Sequence, residues 1–550
     1  MKNILLLLII IFIGAFLRTY LINDFPVQLS PDEVTQIYDA ISIAETGKDI
    51  YGNFLPTMFV SVNDYKPPFY IYMTSLTYLL LGNKEIIIRI PGIIFGILLI
   101  PIIFFFTLKL LRNEKIALWS AFITAISPFE IFFSRKSFES LAGMCFMLIG
   151  FTFLIIYVQR KDKIRWIYLG FFFLISSMYI YFANALIIPM LLVIFILIYK
   201  NVFLVSLKKI IFPVIFATVL LLPLIVVILT NSGSRYRSQT VFIGQDINLG
   251  KQIDFIKSDN QLLTQLLSLK STIDFSFNRY LKQFDSSYLF GNGLNMTNQG
   301  PLGMGILYSI QVLFLVIGTI YLVRNNEKLK KENIFILSWL LIGMIPSGIT
   351  FEETSPHRSI MVFIMLDVLS AVGLFYLISL VNLRNLKFKY TLYVLLIFLF
   401  FIQLIYFLNI YFVNFPYEKS QYIQYPFKEV AKFSWLNYNN YNKIVFDPIF
   451  GQAAPVIGTG AHYYFGYYGN YPPLKMQQEY KIGQKPREVI FDKFSIRKVE
   501  WNDDKLLPNT LLIASGWSID PKIIKANEDK IIKTFYFYDH KPAFYAIKLE

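Results

Sequence analysis

The tetrapeptide Ser30-Pro31-Asp32-Glu33 sets two adjacent carboxylates at the head of a helix-favouring run. Ser30 fits the N-cap, Pro31 the first helical position and Glu33 the third, the pattern of a capping box. Asp32 then projects about 100° around the helix from Glu33, which leaves it to act as a general base or as a ligand for a divalent metal. Asp64-Tyr65-Lys66-Pro67-Pro68 supplies a cation on a proline-stiffened chain. Lys66 is either a point charge for a phosphate or a lysine stem lying along apolar surface with its ammonium in water. Arg18 and Arg89 stand near the ends of apolar runs, and Ser134-Arg135-Lys136-Ser137-Phe138-Glu139 follows Glu130. Arg135 and Glu139 are four apart, so an intrahelical ion pair competes with a role for Arg135 on an anion. Glu352-Glu353-Thr354-Ser355-Pro356-His357-Arg358 gives a His-Arg pair that either clamps a phosphate or is merely solvated.

Absences narrow the chemistry. No Gly-x-x-x-x-Gly-Lys-Ser/Thr loop is present, so ATP-driven transport has no support, and no Asp-x-Asp occurs to hold a metal on a nucleotide diphosphate. Cys145 is the single cysteine, and only His357, His462 and His540 accompany it, which argues against a Cys- or His-based metal centre.

The elements that position these residues belong to a membrane. The 550 residues are 55% hydrophobic, 17% aromatic and 16% charged, where ordinary globular chains are about 25% charged. Apolar runs at 4–22, 86–108, 117–133, 139–158, 166–182, 184–199, 210–229, 304–323, 334–350, 359–381 and 391–412 predict about eleven transmembrane helices. The first lacks a small-residue cleavage site and reads as a retained helix rather than a signal peptide. With a cytoplasmic N-terminus, the five short loops containing Lys109, Arg160, Lys200, Arg324 and Arg384 all fall inside, while Asn23 to Lys66 falls outside with seven acids against two lysines. This is the positive-inside pattern of the cytoplasmic membrane, and it gives the net charge of +15 a reason other than nucleic acid. Pro67 to Gly82 is expected to be interfacial or re-entrant, since a further span would reverse every loop.

The expected architecture is thus a polytopic α-helical membrane domain, 1–412, with a first outer loop at 23–85 and a second at 230–303, followed by an extracytoplasmic α/β domain at 413–550. In that domain the sequence predicts a helix over Lys428–Leu436 and strands at Lys443–Asp447, Leu511–Ala514, Thr534–Tyr538 and Ala543–Leu549. Between them Gly458 to Pro473 reads as an aromatic loop. Its Tyr463, Tyr464, Tyr467, Tyr468 and Tyr471 either stack on an acceptor sugar or pack the domain onto the membrane surface.

Arg18, Asp32-Glu33, Lys66-Pro67-Pro68, Arg89-Ile90-Pro91-Gly92, Ser134-Arg135 with Glu139, and His357-Arg358 occur in an order that resembles the C-type membrane glycosyltransferases, in the group of the protein O-mannosyltransferases and lipid A aminoarabinose transferases. The resemblance covers most of residues 1–380. It implies inverting transfer of a sugar from a polyprenyl-phosphate donor to a lipid, glycan or protein acceptor, with Asp32 as base or as acceptor or metal ligand. Glu33 and Glu139 are the other acids it implies at the site, and Lys66, Arg89, Arg135, His357 and Arg358 would face the donor phosphate. A lysine stands before Pro67-Pro68 where many relatives have histidine. The competing readings are a flippase or transporter for lipid-linked sugars, a ligase for polyprenyl-linked surface glycans, and a non-catalytic scaffold.

Overall fold

The computed structural model describes residues 2–549 apart from 62–63, 161–162, 206, 231–232, 234–238, 240, 257–259, 296–299, 325–329, 381–385 and 486. Of the basic loop residues above, Arg384 lies outside the described residues. Along the chain run helices α1 (Lys2–Thr19), α2 (Pro31–Thr46), α3 (Phe69–Leu81), α4 (Ile90–Leu111), α5 (Glu114–Ile126), α6 (Pro128–Ser134), α7 (Glu139–Arg160), α8 (Arg165–Ile180), α9 (Ala183–Ile198), α10 (Leu207–Thr230), α11 (Ile247–Asp254), α12 (Gln261–Lys282), α13 (Gln311–Arg324), α14 (Lys330–Ile342), α15 (Ile345–Gly348), α16 (Ile360–Leu380), α17 (Leu386–Asn409), α18 (Pro426–Leu436) and α19 (Ala461–Tyr468). Short helical turns between these are left unlabelled. A hairpin of β1 (Phe59–Ser61) and β2 (Asp64–Lys66) precedes α3, and the remaining strands follow α18, among them the short pair β4 (Ile449–Phe450) and β5 (Val456–Ile457).

Helix covers most of each of the eleven apolar runs, although the first seven residues of 304–323 are irregular and its helix begins at Gln311. Five stretches, Ile90–Leu111, Glu139–Arg160, Lys208–Thr230, Ile360–Leu380 and Tyr390–Lys419, are long and apolar enough on their own to cross a membrane. The pair α5–α6 makes a sixth if its 56° bend is counted within one span; Pro128 opens α6 and removes the amide that would have continued α5. The helix α3 has 13 residues, too few for a span of about 20.

Two compact units emerge: Met1–Tyr20 with Gly92–Ile410, and Leu21–Pro91 with Tyr411–Glu550. In the first, the apolar window of α16 is 83% buried, whereas that of Lys208–Thr230 is only 17% buried. An apolar helix left this bare belongs against lipid, and α16 belongs at the centre. Small residues let α16 and α13 approach: a Cβ added at Gly373 would stand 1.8 Å from the carbonyl oxygen of Phe314.

The second unit is built on a seven-stranded sheet in the order β10 (Ile531–Tyr536), β11 (Pro542–Leu549), β9 (Thr510–Ser515), β3 (Lys443–Phe446), β8 (Phe494–Ile496), β7 (Val489–Phe491), β6 (Lys481–Ile482). The strand β3 is parallel to both neighbours, with Val445 opposite Ser495 and Leu512. Strand alternation divides the side chains between two cores. Ile444, Phe446, Leu511 and Ile513 enter the larger core, while Val445, Leu512 and Ala514 enter the smaller one on the opposite face. The larger core also takes Val34, Ile37, Tyr38 and Ile41 of α2, Phe427 and Val430 of α18, and Tyr463, Tyr464 and Phe465 of α19. The tail expected to stand alone from 413 therefore shares its core with the first loop, because α2 has an apolar face that the loop by itself cannot bury.

The predicted helix and strands of the tail are present within a few residues. The segment Gly458–Pro473 differs: it holds α19 rather than a loop alone. Tyr463, Tyr464, Tyr467 and Tyr471 are 5% exposed or less, so their faces are packing surface and cannot stack on a sugar. Tyr464 Oη donates to the Leu29 carbonyl at 2.8 Å, and Tyr38 Oη to that of Tyr471 at 2.8 Å.

At Gly466 α19 comes close to α2, and an added Cβ would lie 2.7 Å from the Tyr38 ring. Gly466→Val is expected to cost roughly 1–3 kcal/mol through overpacking, read as a lowered Tm. Gly516→Ala, with nothing within 4 Å of the new Cβ, should leave Tm unchanged.

Candidate active site

The start of α2 adopts the capping box its sequence predicts. Ser30 Oγ accepts from the Glu33 amide at 3.4 Å, and Glu33 Oε2 accepts from the Ser30 amide at 2.9 Å. The other Glu33 oxygen faces Arg89 Nε at 3.4 Å, with both side chains 2% exposed or less. Arg89 then donates to the carbonyls of Ile22 at 2.8 Å, Pro26 at 3.1 Å and Gln28 at 3.4 Å. Its fork is thus committed to irregular backbone and to the cap, not to an anion from outside.

Asp32 takes a different position. It stands 2.8 Å from Lys66 Nζ, with side-chain exposures of 44% for Asp32 and 13% for Lys66. The hairpin delivers the lysine: β1 pairs with β2 so that Phe59 faces Lys66, and Ser61 Oγ meets Thr35 Oγ1 of α2 at 3.2 Å. The Thr35 hydroxyl also donates to the Asp32 carbonyl at 2.9 Å. A partly exposed pair of this kind adds under about 1 kcal/mol to stability, whereas Glu33 is the buried counter-charge of Arg89.

Within the helical unit, Arg135 is fully buried and Nη1 donates to the carbonyls of Leu17, Arg18 and Tyr20 at 3.2, 3.3 and 2.8 Å. These are the orphaned acceptors at the end of α1, where a cation also meets the negative end of the helix dipole. Arg18 does the same for α5, donating to Ala125 at 2.9 Å and Thr124 at 3.2 Å where Pro128 has broken the helix. Glu139 opens α7 half-buried, an acid at the positive end of a dipole.

The loop 352–358 closes on itself. Arg358 Nη1 donates to Glu352 Oε2 at 2.7 Å, Ser355 Oγ at 3.1 Å and Thr350 Oγ1 at 3.2 Å. His357 lies 3.3 Å from Ser355 Oγ, and its carbonyl accepts from Tyr181 Oη at 2.9 Å. Burial pushes the Glu352 carboxyl up, but His357, Arg358 and Ser355 together pull it below the usual glutamate range. Arg358 also lines a cavity of about 320 Å³ whose other walls include Tyr181, Phe182, Leu186, Ile228, Phe242 and Ile349. An apolar cleft with one guanidinium in its wall suits an amphiphile with an anionic head.

Asp367 escaped the sequence reading, which treats 359–381 as plain apolar span. It is fully buried in α16, accepting from Gln311 Nε2 of α13 at 3.1 Å and Thr124 Oγ1 of α5 at 3.2 Å. Glu130, 1% exposed in α6, is a second buried acid of this unit. An acid inside an apolar run is the one signal that could have singled out Asp367. Among the described residues no three His, Cys, Asp or Glu side chains converge to hold a metal ion, and Asp32 has an ammonium rather than a second acid beside it.

Residues 65–229 match the family model described as dolichyl-phosphate-mannose-protein mannosyltransferase. No curated protein sequence matches the chain. The oligosaccharyltransferase AglB from Archaeoglobus fulgidus, solved with an inhibitory peptide and a dolichol-phosphate, superposes with a TM-score of 0.50 at 13% identity, covering 79% of this chain and 58% of its own. The apo form of the Archaeoglobus fulgidus oligosaccharyltransferase gives 0.53 at 12% identity, covering 85% and 64%. Apo ArnT from Cupriavidus metallidurans gives 0.51 at 12% identity, covering 99% and 97%. The chain thus spans about three fifths of the archaeal enzyme and nearly all of ArnT. It shares the fold of these structures, the C-type (GT-C) fold, and is a multi-pass membrane protein.

Glu33→Ala, which leaves Arg89 buried without its counter-charge, is expected to cost about 3–5 kcal/mol, whereas Asp32→Ala should cost under about 1 kcal/mol; thermal unfolding of the two variants in one detergent compares them. Because the Glu352 pKa is depressed from 4.5 in the folded state, its contribution is full above that value and is lost as pH falls below it. Amide exchange in 350–359 should accordingly rise on acidification below about pH 4.5, and Glu352→Gln should abolish that dependence.

Proposed function

We propose that this protein transfers a sugar from a polyprenyl-phosphate donor to a lipid, glycan or protein acceptor, with inversion, at the outer face of the cytoplasmic membrane. In this reading all eleven apolar runs cross the membrane, the N-terminus is cytoplasmic and the unit carrying Asp32 is extracytoplasmic. The observation that carries it is Asp32: a carboxylate on the first turn of a capped helix, 2.8 Å from Lys66 Nζ and 44% exposed.

The acceptor hydroxyl attacks the anomeric carbon and gives its proton to Asp32 as the new C–O bond forms. The bond from that carbon to the phosphate oxygen breaks on the opposite side, and the polyprenyl phosphate leaves with the electron pair. Proton removal of this kind contributes about 10²–10⁴ in rate, and preorganised cations lower the cost of charge growing on the leaving phosphate. Lys66, 2.8 Å from Asp32, is the cation of its unit that suits this part, and Arg358 is the cation of the helical unit that lines an apolar cleft. Arg89 and Arg135 act one step back, as positioning residues that hold backbone. The cleft beside Arg358 is the right kind of surface for the lipid end of the donor, and the archaeal neighbour's bound dolichol-phosphate supports that class of carrier.

A second reading, a flippase or transporter, draws support from Asp367 and Glu130, since buried acids within apolar helices are what such a protein would use. One experiment separates the two. Protein in lipid is mixed with a panel of polyprenyl-phosphate sugars and an acceptor extract, and release of lipid phosphate is followed by mass spectrometry. Transfer predicts release from one donor, reduced about 10²- to 10⁴-fold in Asp32→Asn at equal folded yield. Movement of donor across vesicles without any release would establish transport.

A further inference from the structure

The helix α12 carries an apolar stripe that nothing among the described residues covers. Leu262, Leu266, Leu269, Ile273, Phe277 and Leu281 recur at spacings of three and four, which at 100° per residue confines them to an arc of about 120°. They are 65, 55, 58, 58, 56 and 49% exposed, more than a solitary surface leucine would need explained, because they are contiguous on one face.

The opposite side of α12 is fixed to the protein. Arg279 pairs with Asp246, the N-cap of α11. Gln283, fully buried just beyond α12, donates to the carbonyls of Arg279 and Glu353 at 3.0 and 2.9 Å and accepts from Ser347 Oγ at 2.9 Å. On the stripe's own side, at its C-terminal end, Tyr280 Oη donates at 3.0 Å to the carbonyl of Leu341 at the end of α14, where Leu341 itself is 57% exposed. The stripe therefore runs on from the apolar exterior of the membrane helices and is not an isolated patch. A second copy of the chain would need a matching flat face, whereas a bilayer is already present wherever this protein is.

We infer that α12 lies along the bilayer interface with its stripe in the acyl boundary, and that through Gln283 it holds the Glu352–Arg358 loop at headgroup level. The length, the one-sided apolar arc and the near-neutral hydropathy of the whole helix are those of a helix that lies on a membrane instead of crossing it. The inference stands whether or not the chain transfers a sugar.

The test places bimane on single cysteines introduced as Leu269→Cys, Ile273→Cys and Asn278→Cys in the full chain, whose own Cys145 is 1% exposed and shielded from the label. Emission is compared in nanodiscs with plain and with brominated acyl chains. A lipid-immersed stripe predicts bromine quenching at 269 and 273 at least about threefold greater than at 278. Emission at 269 and 273 that is the same in both lipids overturns the inference, whether the label is then in water or covered by a second copy. Equal quenching at all three sites also overturns it, since that places the whole helix in the membrane.

Discussion

Backbone carbonyls without a ladder or a helix to satisfy them are the constraint on which the rest of this structure depends. Where the chain leaves α1 it runs irregularly to Ser30, and an unpaired buried carbonyl costs about as much as a lost hydrogen bond. Arg89 meets the acceptors at Ile22, Pro26 and Gln28, Arg135 those at Leu17, Arg18 and Tyr20, and Arg18 those left at the end of α5. Three buried guanidinium groups thus do for these turns what a sheet does elsewhere. Guanidinium suits this because its planar fork donates in several fixed directions and stays charged when buried.

The commitment of these arginines sorts the basic residues by role. Those with backbone to hold are fully buried; Lys66 and Arg358 pair with carboxylates on partly exposed loops and hairpins. The same division separates the neighbouring acids. Glu33 closes the cap and neutralises Arg89, so its charge is structural, and Asp32 is presented outward by the rigidity that Glu33 provides. Adjacent residues of identical charge are thereby given opposite duties by 100° of helix rotation.

Much of this could be read from the sequence. The eleven apolar runs are visible because a membrane selects composition, and the cap at Ser30 because its signature spans four residues. The tail's strands are legible from alternation, which β3 and β9 keep strictly between two cores. What could not be read depends on partners far along the chain. Glu33 and Arg89 are 56 residues apart, and Thr124 and Asp367 are 243 apart. The helix α19 has no apolar period of its own, since Ala461 to Tyr467 is buried all round, and only the surrounding core makes it a helix. Nor does any local signal tell that α2 is half of a domain whose other half begins at Tyr411.

That divided domain has a consequence for biosynthesis. Tyr38 and Tyr471 share a hydrogen bond across 433 residues, so the face of α2 that the C-terminal sheet buries is bare for most of the time the ribosome takes to make the chain. The helices of the first unit can form one after another as they emerge, but the core that covers α2 is closed only once β11 (Pro542–Leu549) has joined the sheet. Contacts this distant are slow to close and expose apolar surface while they wait. A chain shortened by β11 loses the strand that stands between β10 and β9, and with it Phe544 and Ala546 from the core that α2 shares.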